Sequence, residues 1–308
     1  MKDEDVMKGQ ERTGILTITL AIATMISWAS AFVGIRASIP YYSAIDLALL
    51  RYLVASIVLC GAALIRRPRL LRLHDLPVVL LLGVIGIALY NTSLNYGEIG
   101  MKAAAASFIV ASAPIVTSLL AFCFLHERLN LLGWFGSLLG FAGVAAVALG
   151  EGSGFVFESG AVFVAISAVC QATFFVMQKP YLRKYTPLEL VTYAIWFATL
   201  SMSVFLPSLI SQIGRAPLDA TLAVIYLGIV PGAIGYFCWS IVLSRTDTSR
   251  ATSFLYLVPF IALILGWVWL RELPSVISTI GGVVALLGVY LTNKSRIRRP
   301  AGGRFGLH

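Results

Sequence analysis

Polar and aromatic side chains that could bind a small solute occur inside apolar segments of this sequence. Asn91, Asn95 and Glu98 follow one another at intervals of four and three residues, with Tyr90 beside them. This spacing places the three polar side chains on one face of a helix. Because a polar group inside a membrane needs a partner or a protein-lined cavity, the stripe predicts a solute-binding cavity, with Glu98 as the candidate for coupling to protons.

Other candidate substrate contacts are amide, hydroxyl and aromatic groups in further apolar segments. They are Trp28, Ser107, Gln171, Phe175, Tyr236, Trp239, Ser253 and Tyr256. A neutral lining of this kind suits a small zwitterionic or aromatic solute and does not suit a polyphosphate. The alternative for each single residue is structural, since Tyr and Trp anchor helices at the membrane interface and Asn and Ser join helices to one another.

Arg51 is the cation that lies clearly inside an apolar segment, about two turns from its end. One interpretation is that it recognises a substrate carboxylate. Snorkelling of the long side chain to lipid headgroups, or a structural pair with Asp46, is favoured over this interpretation.

Composition identifies the solvent of these segments as a lipid bilayer. The 308 residues are 59% hydrophobic and 12% charged, with a mean hydropathy of +0.89, which is more apolar than one soluble core of this size requires. The net charge of +9 comes from short basic clusters between apolar runs, which indicates lipid headgroups as partners and no nucleic acid. The spacing of the four cysteines indicates neither a metal site nor a cofactor, and no catalytic constellation is found.

Ten segments are long and apolar enough for membrane-spanning helices. They cover residues 14–35, 44–65, 76–96, 103–125, 131–149, 159–178, 188–210, 220–243, 251–270 and 275–291. If the N-terminus is cytoplasmic, 18 Lys and Arg residues fall on the inner side and 4 on the outer side. The prediction is therefore an all-α membrane protein of ten transmembrane helices with both termini cytoplasmic, residues 1–13 and 292–308 forming the tails.

The two halves of the sequence repeat one another. At an offset of 146 or 145 residues, equivalent pairs are Gly86 and Gly232, Tyr90 and Tyr236, Pro114 and Pro259, and Glu127 and Glu272. Residues 14–149 and 159–291 therefore form two repeats of five helices each. Because five is odd, the second repeat must enter the membrane from the opposite side, which makes the repeats inverted and suits alternating access.

Prolines, acids and glycines at equivalent positions of the two repeats predict hinges, helix ends and close helix packing. Pro114 and Pro259 lie in the middle of their spans, so they are candidate hinges, although a static kink is the alternative. Glu127 and Glu272 each close the fourth helix of a repeat, where an exposed turn-end or helix-capping role is expected. The glycines of spans 5 and 10 allow close helix approach, either within the fold or in a homodimer.

Several of these motifs together resemble a known family. "WASAF" at 28–32, "LLRYLVA" at 49–55, "AAAASF" at 103–108, "HERL" at 126–129 and "GWFGSLLGFAGV" at 133–144 are similar to the EamA-type transporters of the drug/metabolite transporter superfamily. The similarity covers essentially the whole chain and is greatest to the YddG-type bacterial amino-acid exporters. It implies an exporter of small neutral or aromatic amino acids and related metabolites in the bacterial inner membrane.

The mode of transport follows from the charges inside the spans. No Asp, Glu or His lies at the centre of a predicted span, and a buried carboxylate is the simplest device for proton coupling. The sequence therefore favours facilitated diffusion or weakly coupled export. The alternative is a proton-coupled exporter of drugs or other small metabolites.

Overall fold

The computed structural model describes residues 2–99, 103–150, 160–270, 275–295 and 297–298. Within these residues, eight helical segments are long and apolar enough to cross a membrane, and one further apolar helix, Leu131–Val147, is shorter. The eight are Gly14–Ser38, Ala44–Arg66, Leu76–Glu98, Phe108–Leu125, Gly160–Tyr181, Pro187–Ile213, Leu218–Arg245 and Val276–Lys294. Predicted span 251–270 is divided among shorter helices, so the count of ten stays a prediction.

Several spans consist of more than one helix. The first half contains α1 (Lys2–Ser38), α2 (Ala44–Arg66), α3 (Leu76–Gly83), α4 (Tyr90–Glu98), α5 (Ala103–Val110), α6 (Ala113–Leu125) and α7 (Leu131–Gly150). The second half contains α8 (Gly160–Tyr181), α9 (Pro187–Met202), α10 (Leu206–Ile213), α11 (Leu218–Leu227), α12 (Tyr236–Arg245), α13 (Thr248–Ser253), α14 (Leu257–Leu270) and α15 (Val276–Lys294). Helix α1 begins at Lys2 and so continues through the described part of the predicted N-terminal tail.

A short two-stranded pairing departs from the all-helical prediction. Strand β1 (Arg128–Leu129) follows α6, and strand β2 (Ile297–Arg298) follows α15. The strands are antiparallel, with Arg128 opposite Arg298. The start of the C-terminal segment is therefore attached to the connection between α6 and α7.

Two π-helical segments occupy equivalent positions in the two halves. Val84–Leu89 lies between α3 and α4, and Gly228–Gly235 lies between α11 and α12. Each ends immediately before one of the repeated tyrosines, Tyr90 or Tyr236. A π-helical turn changes the register of the helix that follows it, so these segments determine the face on which each tyrosine lies.

The fourth and ninth spans are interrupted near their prolines. A turn at residues 111–112 separates α5 from α6, and Pro114 is the second residue of α6. In the other half a 3-10 turn, Phe254–Tyr256, precedes α14, whose third residue is Pro259. Proline is tolerated in the first turn because its missing N–H would have no partner within the helix. Both prolines therefore lie where a helix restarts, and their role as hinges stays a prediction.

Helices of one half pack on helices of the other half in symmetric pairs. Helix α4 packs on α8, and its repeat equivalent α12 packs on α1. Helix α2 packs on its own equivalent α9, and α7 on its own equivalent α15. This exchange of partners is the pattern that two repeats related by a twofold axis produce.

Glycines bring the backbones of α7 and α15 into direct contact. A Cβ atom on Gly143 would lie 2.4 Å from the Ala285 nitrogen and 2.6 Å from the Gly281 oxygen. A Cβ atom on Gly288 would lie 2.3 Å from the Gly140 nitrogen. Of the two alternatives for these glycines, the structure supports packing within the fold, which covers this face of both helices.

Ser43 and Thr186 cap the helices of spans 2 and 7, each with an acid three residues later, Asp46 or Glu189. The Ser43 hydroxyl accepts from the Asp46 nitrogen at 3.2 Å, and the Thr186 hydroxyl accepts from the Glu189 nitrogen at 3.3 Å. Glu189 also accepts from the Thr186 nitrogen at 2.8 Å, which completes a capping box. Ser43 and Thr186 therefore define where α2 and α9 begin.

Candidate solute-binding cavity

A cavity lies between the two halves of the bundle. The polar and aromatic members of its wall are Trp28, Phe32, Arg51, Tyr90, Gln171 and Tyr236. Apolar residues beside the helix interruptions complete it, including Val110, Ala111, Leu255, Val258 and Pro259. The wall thus combines side chains from both halves, and five predicted residues, Trp28, Tyr90, Gln171, Tyr236 and Pro259, belong to it.

An aromatic cluster from three helices packs at one side of this cavity. Trp28 and Tyr236 belong to the wall, whereas the predicted contacts Phe175 and Trp239 are buried behind it. The Trp28 ring stacks on Phe175, with centroids 6.2 Å apart and planes 10° apart. Trp239 lies 5.4 Å from Trp28 and 4.9 Å from Phe175, and Tyr236 meets Trp28 edge-on at 5.7 Å. The Trp28 indole nitrogen donates to the Pro231 oxygen at 3.3 Å, inside a π-helical segment. This cluster offers aromatic faces to an apolar or aromatic side chain of a solute.

A hydrogen bond across the repeat interface joins Tyr90 and Gln171. The Gln171 Nε2 donates to the Tyr90 hydroxyl at 3.0 Å. The Gln171 Oε1 is buried and has no hydrogen-bond donor among the described atoms. The amide therefore retains an acceptor that a solute ammonium or hydroxyl can bind.

A buried network supports the wall from behind. The Asn91 Oδ1 accepts from Arg51 at 2.9 Å, and the Asn91 Nδ2 donates to the Tyr52 hydroxyl at 2.7 Å. The Tyr52 hydroxyl in turn donates to that of Tyr236 at 3.3 Å. Asn91 is fully buried, so it orients Arg51 from behind the wall.

The favoured sequence interpretation of Arg51 is wrong. Its side chain is 4% exposed and belongs to the cavity wall, so it does not snorkel. Asp46 accepts instead from Ser43 at 2.6 Å, Ser208 at 2.8 Å and Gln212 at 2.5 Å. Among the described residues, no carboxylate lies within ion-pair distance of Arg51. The structure therefore places a buried guanidinium at the cavity with no described acid in ion-pair contact.

Glu98 is buried beside the cavity and does not form part of its wall. Its side chain is 9% exposed, and its Oε1 has no donor among the described atoms. The neighbouring Gly97 allows α4 to approach α8 closely, since a Cβ atom there would lie 2.3 Å from the Val164 Cγ2. A coupling role for Glu98 stays a prediction.

Asn95 and Ser253, two of the predicted contacts, instead connect helices. The Asn95 Nδ2 donates to the Ala44 oxygen at 2.8 Å, at the start of α2. The Ser253 hydroxyl accepts from the Asn293 Nδ2 at 2.8 Å, which joins α13 to α15. Neither residue is part of the cavity wall.

Tyr256 and Pro114 are also outside the wall. The Tyr256 ring packs against α7, since a Cβ atom on Gly140 would lie 2.6 Å from its Cδ2. Pro114 is buried at the start of α6. Ser107 lies on α5, and its side chain is outside the described part of the chain.

Glu127 is buried and not exposed, contrary to that part of the sequence expectation. Its side chain is 2% exposed. It accepts from the nitrogens of Thr248 and Ser249 at 3.1 and 3.2 Å, and from their hydroxyls at 3.1 and 3.3 Å. It therefore caps α13 from the other half of the chain. Its equivalent, Glu272, lies outside the described residues.

Together these groups are equipped to bind a solute. The cavity offers one guanidinium, amide and phenol hydrogen-bonding groups, and aromatic faces. Within the described ranges, no group of three or more His, Cys, Asp or Glu residues is arranged to hold a metal ion.

Both halves of the chain match the same family model. Residues 15–149 and 158–294 match the EamA-like transporter family. The chain is 40% identical over 265 residues to an uncharacterized transporter, YdfC of Bacillus subtilis, covering 86% of this chain and 87% of that protein. It is 37% identical over 281 residues to a "Probable terminal-alkyne amino-acid exporter" of Streptantibioticus cattleyicolor, covering 90% and 93%.

More distant similarity extends over the same length. A "Probable amino-acid metabolite efflux pump" of Salmonella typhimurium is 24% identical over 302 residues, covering 92% of this chain and 96% of that protein. A crystal structure of a protein with 20% sequence identity aligns with a TM-score of 0.72 and covers 89% of this chain and 95% of that chain. The second comparison shows a shared fold.

Proposed function

Because the chain belongs to the EamA-like transporter family, a family of multi-pass membrane transporters and not of enzymes, we propose that it exports small neutral or aromatic amino acids and related metabolites. The protein lies in the bacterial inner membrane, with a small-molecule substrate and the lipid bilayer as its partners. Export proceeds by alternating access. It is facilitative, without obligatory coupling to protons.

The observation that carries this proposal is the cavity between the halves. An aromatic cluster around Trp28 lies on one side, and hydrogen-bonding groups from Tyr90, Gln171 and Arg51 lie around it. A zwitterion with an apolar or aromatic side chain has complementary groups for all of these. A polyphosphate would require several cations, whereas among the described residues Arg51 is the single cation in this wall.

Alternating access is supported by the symmetric packing. The pair α4 and α8 exchanges with the pair α12 and α1 when the halves are interchanged. If each half has five spans, the axis that relates them lies in the membrane plane. Two conformations of similar energy then arise when the halves exchange shapes, one open to each side.

Similar proteins support amino acids as the substrate class. Two of the relatives are named as an amino-acid exporter and an amino-acid metabolite efflux pump. The relative with 37% identity covers 90% of this chain and 93% of its own length. A small terminal-alkyne amino acid therefore belongs among the candidate substrates.

The second candidate function is proton-coupled export of drugs or other metabolites. The burial of Glu98, with one carboxylate oxygen lacking a donor, favours it. A buried acid at the end of a span is a group that protons and substrates can compete for. The position of Glu98 outside the cavity wall is the reason that facilitative export is preferred.

Proteoliposomes that contain the purified protein test both candidates. They are loaded with labelled phenylalanine, leucine, tryptophan or a terminal-alkyne amino acid, and efflux is followed with and without a pH gradient. Facilitative export predicts flux down the amino-acid gradient in both conditions. Flux that requires the pH gradient would favour the second candidate, and no amino-acid flux in either condition would exclude the first.

A further inference from the structure

Arg51 is unusual among the cations of this chain because its guanidinium is buried inside a membrane span. It is 4% exposed and lies seven residues beyond Ala44, the first residue of α2. That distance is about 10 Å along a helix. Burial of a charge at this depth costs several kcal/mol unless a counter-charge or hydrogen bonds offset it. The contacts of Arg51 therefore indicate what it is there to bind.

Those contacts hold the guanidinium in place and leave part of it unpaired. One terminal nitrogen donates to the Asn91 Oδ1 at 2.9 Å, and Cζ lies 5.4 Å from the centre of the Tyr52 ring. The buried Nε has no acceptor among the described atoms. Because Asn91 is itself fixed by Tyr52, the guanidinium has one orientation toward the cavity it lines.

Neither of the two acids near Arg51 in the spans forms an ion pair with it. Asp46 accepts hydrogen bonds from three side chains around the start of α2. Glu98 lies within electrostatic range of Arg51, but it forms no ion pair or hydrogen bond with it in this structure. A guanidinium presents a planar fork of N–H donors that matches a carboxylate.

We propose that Arg51 is the binding site for the carboxylate of the transported solute. This inference rests on the proposed function and identifies the part of an amino acid that each wall of the cavity recognises. The carboxylate binds the guanidinium, the ammonium lies toward the free Gln171 Oε1, and the side chain contacts the aromatic cluster at Trp28. Arg51 thereby sets a requirement for a carboxylate that amines and amides do not meet.

Binding to the purified protein in detergent tests this assignment independently of transport. The probes are matched pairs that differ only at the carboxyl group, namely phenylalanine and phenylalaninamide, leucine and leucinamide, and benzoate and benzamide. Affinity is measured from the concentration dependence of thermal stabilisation. We expect the wild type to prefer the carboxylate of at least one pair by about 10- to 100-fold, the range for a hydrogen bond to a charged group.

Three variants separate recognition from folding. Arg51→Gln should reduce that preference to near unity, and Arg51→Lys, which keeps the charge but not the fork, should retain only part of it. Arg36→Gln removes an exposed cation near the end of α1 and should keep the wild-type preference. If Arg51→Gln fails to fold, the intermediate preference of Arg51→Lys still decides the question.

Failure of the Arg51 assignment in the binding experiment can be distinguished from failure of the proposed function in the transport assay. The assignment is overturned if no carboxylate binds better than its amide, or if Arg51→Gln or Arg51→Lys keeps the full wild-type preference. Carboxylate binding that depends on Arg51, combined with no amino-acid efflux from proteoliposomes, would leave the assignment intact. That combination would exclude amino-acid export and point to another organic acid.

Discussion

Glu98 decides between the two modes of transport. It lies beside the cavity and not in its wall, so a proton on its carboxylate is not required for substrate binding in the facilitative mechanism. We expect Glu98→Gln to change the efflux rate by less than about twofold at every pH, equivalent to about 0.4 kcal/mol in the barrier. Efflux from proteoliposomes between pH 5 and 8 measures this.

The control for Glu98 is Asp219→Asn, which changes an exposed acid at the start of α11. Asp219→Asn should have the efflux rate of the wild type at every pH, with and without a pH gradient. If the wild type accumulates substrate against its gradient when protons flow, and Glu98→Gln alone abolishes this accumulation, then Glu98 is the coupling site and the facilitative mechanism is wrong.

Asp75 lies in the connection between spans 2 and 3, and the ionisation of its carboxyl group makes the stability of the protein depend on pH. Burial alone would raise the pKa of this carboxyl, but hydrogen bonds from Lys184 at 3.0 Å and Tyr185 at 2.8 Å, with the nearby charges, bring the pKa below its ordinary value. A lowered folded-state pKa stabilises the protein above the unfolded pKa of about 3.9. That stabilisation is lost as the pH falls through the folded value.

Asp75→Asn should therefore lower the stability of the protein at neutral pH. We expect a loss of about 1–2 kcal/mol, the lower part of the range for hydrogen bonds to charged groups, because Lys184 is 31% exposed and solvent screens its charge. Thermal unfolding in detergent measures the loss, which should shrink as the pH is lowered below about 4. A loss that is equal at all pH values would contradict the electrostatic explanation, and Asp219→Asn should show none.

At the residue scale, some cavity-wall residues were predictable from the residue type together with its position in the repeat. Trp28, Tyr90, Gln171 and Tyr236 were identified because polar or aromatic groups recur at equivalent positions of apolar spans, and all four are in the wall. The interpretation of Arg51 failed because it depended on the partners of Asp46. Two of its three partners come from α10, 162 and 166 residues away in sequence, and no local pattern reveals them.

At the scale of elements, the close contact of α7 and α15 is the feature most sensitive to substitution. A Cβ atom on Gly143 would meet the backbone of α15 at 2.4 Å, and backbone atoms cannot move away as a flexible side chain can. We expect Gly143→Ala to destabilise the protein by about 1–3 kcal/mol, the usual cost of overpacking. Thermal unfolding in detergent, followed by size-exclusion chromatography, measures this effect.

Gly61→Ala is the matched control for this contact. Gly61 also lies within a span helix, but it is exposed, and a Cβ atom there would have no neighbour within 4 Å. Because alanine is the better helix former, this variant should be as stable as the wild type or slightly more stable. If Gly143→Ala is equally well tolerated, the two helices do not pack as closely as described.

The two π-helical segments are interruptions of spans 3 and 8 that were not predicted from the sequence. Span 3 and span 8 were predicted as continuous helices because their apolar residues extend over enough length. Within each, Val84–Leu89 and Gly228–Gly235 adopt the wider helix. The change depends on packing against other spans, such as the bond from Trp28 to the Pro231 oxygen, and composition alone does not encode it.

At the scale of the whole molecule, the sequence predicted the membrane class and the two-repeat organisation. Among the described residues, eight of the predicted spans correspond to helices long enough to cross a membrane, since the bilayer core sets a minimum helix length, and the fifth corresponds to the shorter apolar helix Leu131–Val147. The interruption of span 251–270 was missed, since Phe254–Tyr256 is as apolar as a continuous helix requires. Orientation of the termini and inversion of the repeats still rest on loop charge and on the odd number of spans.

Alternating access makes a last prediction, which concerns how one end of the bundle is held closed. Glu127, at the end of the fourth span, receives four hydrogen bonds from Thr248 and Ser249, at the start of the ninth. Strands β1 and β2 pair beside it, so this is the end that carries the C-terminal segment. To open the cavity toward this end, the protein must separate the two spans and break these bonds.

Glu127→Gln should therefore favour the conformation open at this end. The amide can no longer accept at both oxygens, and loss of one bond to a charged group is worth about 1.5–3 kcal/mol, or tenfold or more in population. The reporter is Ser118→Cys, at a buried position on α6, in a protein without its four native cysteines. Membrane-impermeant maleimide added from the C-terminal side should label it about tenfold faster.

The control for Glu127 is Glu189→Gln, which removes another buried capping acid, one that joins α9 to Arg69 and not to the ninth span. It should leave the labelling rate at the wild-type value. An unchanged rate in Glu127→Gln, or an equal increase in both variants, would show that the bonds at Glu127 stabilise the fold without controlling access. A selective increase would mean that this contact between the two halves sets the balance between the conformations.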